Sequence, residues 1–320
     1  MMLVEAFAGS LALSAHLAGA TSLIGYMGGK RSLAPAIADA VGLKRGAVSE
    51  VWCADAGPWG DVWAGFAEHG LAVAEHFEGR ASEGLTMHEL WREEVQHPPH
   101  RDPVLRLAQF LTLQSRTASA SPLWWDGTRW VMPSGTTMNP WRAQQAHASH
   151  LSAATPRGRH HIEVDPGRRA NERGTGAGRR TGIIDPRTLA SRTRALHGAL
   201  AHRLTAHHGD TFELLARLPA DLAGYVAYLD PPYVGCTPYA AACSRELVLE
   251  LARAYHARGA IVVISEGEPM PIEGWHTVDL APARAWKRWT AAQRGEWLTM
   301  SVPPAKRPAA QLTLWTGAAA

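Results

Sequence analysis

Short, almost uninterrupted apolar runs alternate with longer stretches of helical spacing along this chain. Residues 3–7, 49–55, 225–229 and 260–265 are brief, β-branched or aromatic runs, the pattern of buried strands. Residues 11–17, 31–41 and 244–258 carry apolar side chains at helical intervals, as do residues 102–115, through Leu105, Leu107, Ala108, Leu111 and Leu113. Residues 61–78 predict a further helix with a short strand near 71–74. Residues 186–207 predict another, on Leu189, Leu196, Leu200 and Leu204. A last strand is expected at 296–301, and the chain beyond Pro303 reads as loose. Strand, crossover helix and strand in succession imply an α/β fold on a Rossmann-like, largely parallel sheet.

The pattern breaks between residues 81 and 189, where Gly, Pro, Ser and Thr surround Trp124, Trp125, Trp130 and Trp141. Arginines then crowd a glycine-rich stretch at 155–182: Arg157, Arg159, Arg168, Arg169, Arg173, Arg179 and Arg180. Such a stretch suits phosphate contact, although a solvated linker has the same composition. The expected organisation is a discontinuous domain of residues 1–80 and 190–320, interrupted by an insertion at 81–189.

The chain has 320 residues, 46% of them hydrophobic, enough for one large core. No apolar run approaches the roughly 18 residues of a membrane span, and the start carries Glu5 but no basic leader, so neither span nor secretory signal is expected. Cys53, Cys236 and Cys243 form no Cys-x-x-Cys pair, which argues for a reducing, cytoplasmic setting and against a zinc site. His147, His150, His160 and His161 lack a clear acidic partner, and no metal is expected.

The chemistry centres on the run that ends in Asp230-Pro231-Pro232-Tyr233. Two prolines stop the strand and stiffen the loop beside one carboxylate. An amine on a flat ring can donate to Asp230 and to the Pro231 carbonyl while Tyr233 stacks on its face. This motif resembles that of S-adenosylmethionine-dependent amino methyltransferases acting on DNA bases, above all the Dam-like (alpha-class) adenine-N6 DNA methyltransferases. Further segments carry the resemblance. Phe7, Gly9 and Ser10 are similar to the family's glycine turn, with Leu11 where a further glycine is usual. Tyr26, Gly28, Gly29 and Lys30 are similar to its Trp-x-Gly-Gly-Lys segment, which in the family precedes the glycine turn and here follows it. Asp55 ends the second strand, where an acid holds ribose hydroxyls. Asp210 and Phe212 resemble an Asp-Phe pair that holds the cofactor's adenine ring, with one residue interposed. The strand from Glu296 resembles the one that closes the family's sheet.

The resemblance implies S-adenosyl-L-methionine as cofactor and double-stranded DNA as partner. Catalysis would fall to Asp230, Pro231, Pro232 and Tyr233. Cofactor binding would fall to Phe7, Gly9, Ser10, Tyr26, Gly28, Gly29, Lys30, Asp55, Asp210 and Phe212, with Lys30 meeting a methionine carboxylate. It implies a methyltransferase sheet with helices on both faces, the insertion serving DNA recognition through Arg157, Arg159, Arg168, Arg169, Arg179 and Arg180. The substrate would be an adenine flipped out of the duplex, and restriction-modification is one setting for such an enzyme. Cytosine-N4 methylation and an inactive DNA-binding relative are the alternatives; glutamine methylation fits less well, since its related loop usually begins with Asn.

Overall fold

A computed structural model describes residues 1–24, 30–117, 123–131, 184–232, 243–280 and 296–305, and the backbone of 312–314. Its strands are β1 (Met2–Ala6), β2 (Glu50–Asp55), β3 (Trp124–Trp125), β4 (Trp130–Val131), β5 (Leu204–His208), β6 (Tyr225–Leu229), β7 (Ile261–Glu266), β8 (His276–Asp279), β9 (Trp297–Met300) and β10 (Leu312–Leu314). Its helices are α1 (Ala12–Leu17), α2 (Ala34–Val41), α3 (Pro58–Ser82), α4 (Met87–Glu94), α5 (Pro103–Ser115), α6 (Pro186–Leu200), α7 (Thr211–Arg217) and α8 (Arg245–Ala257).

Eight strands form one sheet in the order β10-β8-β9-β7-β6-β1-β2-β5, and β3 and β4 form a separate hairpin. β5, β2, β1, β6 and β7 are parallel, whereas β9 runs antiparallel to both β7 and β8, and β10 antiparallel to β8. The parallel strands, counted along the chain, lie in the order third, second, first, fourth, fifth. Strand order therefore reverses between β1 and β6, and crevices at such switch points lie beyond the carboxyl ends of the strands. β1 and β6 reach that edge together, with Ala6 beside Leu229.

Burial explains the layers. Alternate residues of β1 face opposite sides, as a strand's period of two requires. Leu3 joins Val51, Val226 and Val263 against Trp63, Phe66, Leu107 and Leu189, on the side of α3, α5 and α6. Val4 and Ala6 join Ala227 and Val262 against Leu214, Leu251 and Tyr255, on the side of α7 and α8. The sheet thus has helices on both faces.

Three expectations about elements are corrected. The chain beyond Pro303 is not loose throughout: Ala305 N–H donates to Ala40 O at 2.9 Å, and β10 pairs with β8 at the sheet's edge. Residues 71–74 are helical: Val62, Phe66, Val73 and Phe77 form one buried stripe of α3, and Leu71 is exposed, so the helical period wins over the β-branched Val73. The helix expected over 186–207 ends at Leu200, where Arg203 donates from Nε to Ala199 O at 2.8 Å and from Nη1 to Val48 O at 2.7 Å. Leu204 continues the helical spacing by coincidence; it begins β5, an edge strand in which only Leu204 is buried.

Beyond α3, α4 opens with a Thr86/Glu89 capping box and α5 with Asp102 as cap. Leu90, Trp91, Leu107 and Leu111 belong to the same buried cluster as Leu3 and Val51. Trp130 is buried and donates through its indole Nε1 to His97 O at 2.8 Å, while Trp125 meets its ring edge-on.

The first turn of α3 presses against the end of β2. A Cβ on Gly60 would lie 2.1 Å from Asp55 O and 2.7 Å from the His208 ring, whereas one on Gly79 of the same helix would meet nothing within 4 Å. Gly60→Ala should therefore lower stability by about 1–3 kcal/mol through forced backbone movement. Gly79→Ala should raise it by up to about 1 kcal/mol through helix propensity alone. Chemical denaturation of both variants checks the contrast, and equal responses would remove the steric explanation.

Candidate functional site

The turn after β1 is held from several sides. Ala8 N–H donates to Ala54 O at 2.8 Å, Gly9 N–H to Asp55 Oδ2 at 2.9 Å, and Trp63 Nε1 to Gly9 O at 2.7 Å. Asp55 Oδ1 accepts from Gly57 N–H at 2.8 Å, so one carboxylate ties the turn after β1 to the turn after β2. Phe7, Gly9 and Leu11 have φ of 64°, 45° and 48°. Leu11, at the position where glycine is usual, therefore adopts the left-handed conformation glycine would favour. That costs roughly 1–2 kcal/mol and is offset by complete burial of its side chain. Ser10 is buried, and Phe7 packs half-buried against the α7/α8 side of the sheet. Burial pushes the Asp55 carboxyl above its ordinary range, against the lowering effect of the two backbone N–H donors and of His208.

Asp230 follows β6 directly at the switch point, with Pro231 buried and Pro232 half-buried beside it. Lys30 Nζ lies 2.8 Å from Asp230 Oδ1 and 3.7 Å from Glu296 Oε1. The Lys30 side chain is 3% exposed, Glu296 is 0% and Asp230 19%, so the ammonium sits between an interior carboxylate and one at the surface of the site. Ser265 Oγ donates to Glu296 Oε1 at 2.5 Å. Lys30, expected to meet a methionine carboxylate, thus has two protein carboxylates as neighbours.

At the end of β5, Gly209 N–H donates to Asp55 O at 3.2 Å, bringing the Asp210 turn beside the Asp55 turn. Asp210 is exposed and caps α7, its Oδ1 accepting from Phe212 N–H at 2.6 Å. The interposed Thr211 is the buried first residue of the helix, and Phe212 packs half-buried on the α7/α8 side. Asp55, Asp210 and Asp230 thus end three parallel strands on one edge of the sheet.

A further carboxylate lies beneath. Glu5, on β1, is buried and accepts from Ser14 N–H at 2.5 Å. Burial raises its pKa to about 7, hydrogen bonds from Ser14 oppose the rise, and the Asp230 charge adds to it. Burial, then Asp230, raises the Tyr228 phenol well above its ordinary value; burial, then Glu5, does the same to the Cys53 thiol. Sequence reasoning gave no role to Glu5, Trp63 or Ser265. Only Glu5 left a signal, a charge inside an apolar strand.

Tyr26, Gly28, Gly29 and Tyr233 lie outside the described residues, as do Trp141, His147, His150, His160, His161 and every arginine from Arg157 to Arg180. Among the described residues no group of three or more His, Cys, Asp or Glu side chains is placed to hold a metal ion. No helix among them is long and apolar enough to cross a membrane. No protein-family model matches the chain, and no curated protein does.

The Glu5 shift has a pH signature. The folded protein keeps this proton up to about pH 7, whereas the unfolded chain releases it near the ordinary glutamate value of 4.5. Stability therefore falls as pH rises through that window, by about 3 kcal/mol in all. Glu5→Gln keeps an oxygen for Ser14 N–H and carries no charge. It should match the wild type near pH 4 and exceed its stability at pH 8, as read by denaturant titration at both values. Parallel curves for the two proteins would refute the assignment.

Proposed function

We propose that this chain is an S-adenosylmethionine-dependent DNA methyltransferase acting on the N6 amine of adenine. The observation that carries the reading is the position of Asp230. It leaves β6 at the switch point, beside the β1 turn, and is followed by two prolines. Asp55 and Asp210, two of the residues expected to hold the cofactor, fit it in kind. Asp55 accepts one N–H at each oxygen and retains lone pairs for ribose hydroxyls, and Asp210 offers an exposed carboxylate to an amino group. Three aspartates on one edge favour a ligand with a cationic centre and no phosphates over a dinucleotide, whose pyrophosphate those carboxylates would repel.

S-adenosylmethionine, when bound, supplies a methyl group on a positively charged sulfur. The protein's task is then alignment. Asp230 and the Pro231 carbonyl accept hydrogen bonds from the two amine N–H groups, which favours a tetrahedral nitrogen and directs its lone pair outward. Rigid prolines hold those acceptors at fixed separation. Tyr233 would stack on the base, and the arginines of 155–182 would contact phosphates. The surplus proton of the methylated nitrogen leaves to solvent through Asp230, which stands partly exposed.

Purified protein incubated with labelled S-adenosylmethionine and unmethylated DNA should yield N6-methyladenine on nucleoside analysis. N4-methylcytosine instead would move the reading to the cytosine enzymes. Cofactor binding without transfer would mark an inactive relative, and absence of cofactor binding would end the proposal. Asp230→Ala should lower methyl transfer by about 10³-fold or more while binding S-adenosylmethionine with near-normal affinity in calorimetry. An active variant would exclude Asp230 as the amine acceptor.

A further inference from the structure

We propose that Glu296, anchored by Ser265, is a positioning residue that holds the Lys30 ammonium so that Lys30 in turn charges and orients Asp230. This rests on the reading of Asp230 as the amine acceptor.

Glu296 is fixed at both ends. Its backbone carbonyl accepts from Leu280 N–H at 2.6 Å, and its carboxylate accepts from Ser265 Oγ at 2.5 Å. Being fully buried just before β9, it cannot follow Lys30 outward. The ammonium lies nearer Asp230 than Glu296, at 2.8 Å against 3.7 Å, yet within Coulombic reach of both. One buried cation therefore serves two carboxylates. Lys30 stabilises ionised Asp230, and Glu296 limits how strongly it does so.

An amine acceptor needs both properties: it must be ionised, and it must not be so tightly paired that it no longer accepts. Other charged or titratable groups border the cluster from neighbouring strands. Glu5 lies on β1, Tyr228 on β6 and Glu266 at the end of β7, and Glu5 and Tyr228 respond to the Asp230 charge. Without the cation, Asp230 would lose the ammonium 2.8 Å away while Glu296 kept its charge nearby. Without Glu296, the cation would lose the carboxylate 3.7 Å away and act more strongly on Asp230.

The two losses have opposite signs, which an influence on folding alone would not produce. In protein labelled with ¹³C at the aspartate carboxyls, with the Asp230 signal assigned by its loss in Asp230→Asn, the titration of Asp230 is read directly. Lys30→Met should move its midpoint upward by about one to three pH units, and Glu296→Gln should move it downward. In turnover, Glu296→Gln should lower kcat at the pH plateau, leave S-adenosylmethionine affinity unchanged, and extend the acid limb to lower pH. A Glu296→Gln midpoint equal to or above that of the wild type overturns the inference, as does a downward shift in Lys30→Met. Failure of the methyltransferase reading would appear separately, as wild-type protein that binds no S-adenosylmethionine, and the carboxyl titration would still be readable.

Discussion

One buried ammonium joins three distant parts of this chain. Lys30 lies between α1 and α2, Asp230 after β6 and Glu296 before β9, and their closest approaches are 2.8 and 3.7 Å. Removing one member of such a buried group typically costs about 3–5 kcal/mol, because the remaining charge is left in a medium that solvates it poorly. The floor of the site is therefore assembled by electrostatics between remote segments as well as by the sheet. The sheet sets where Asp230 emerges, and Lys30 sets its electrical surroundings.

The legible parts of the sequence were those whose physics is local. The apolar run before Asp230, stopped by two prolines, could end only as a buried strand reaching an edge, and it did so as β6. β5 was hidden because a half-buried edge strand needs only one buried side chain, and Leu204 suits a helix equally well. Leu11 looked like a departure from a glycine turn, yet its backbone bends as glycine would, since packing of the isobutyl group outweighs the left-handed penalty. Contacts between residues 30, 230 and 296 lie across sequence distances that no periodicity encodes. The carboxylate partners of Lys30 were accordingly invisible, and a ligand seemed the natural counter-ion.

Under the proposed function, charge on this edge, among the described residues, would narrow the ligands it accepts. Asp55, Asp210 and Asp230 end adjacent or near-adjacent strands, and Lys30, which pairs with Asp230, is buried. Hydroxyl, amine and sulfonium groups would meet acceptors there, whereas phosphate oxygens would meet like charge. Specificity of this kind comes from repulsion as much as from attraction.

The Asp55 carboxylate has a consequence for recognition itself. By gripping Gly9 and Gly57 at once, it sets the contour of both turns from within the protein. The proposed cofactor would meet turns already fixed by this carboxylate, so little ordering entropy would be lost on association and more of each contact would appear as affinity.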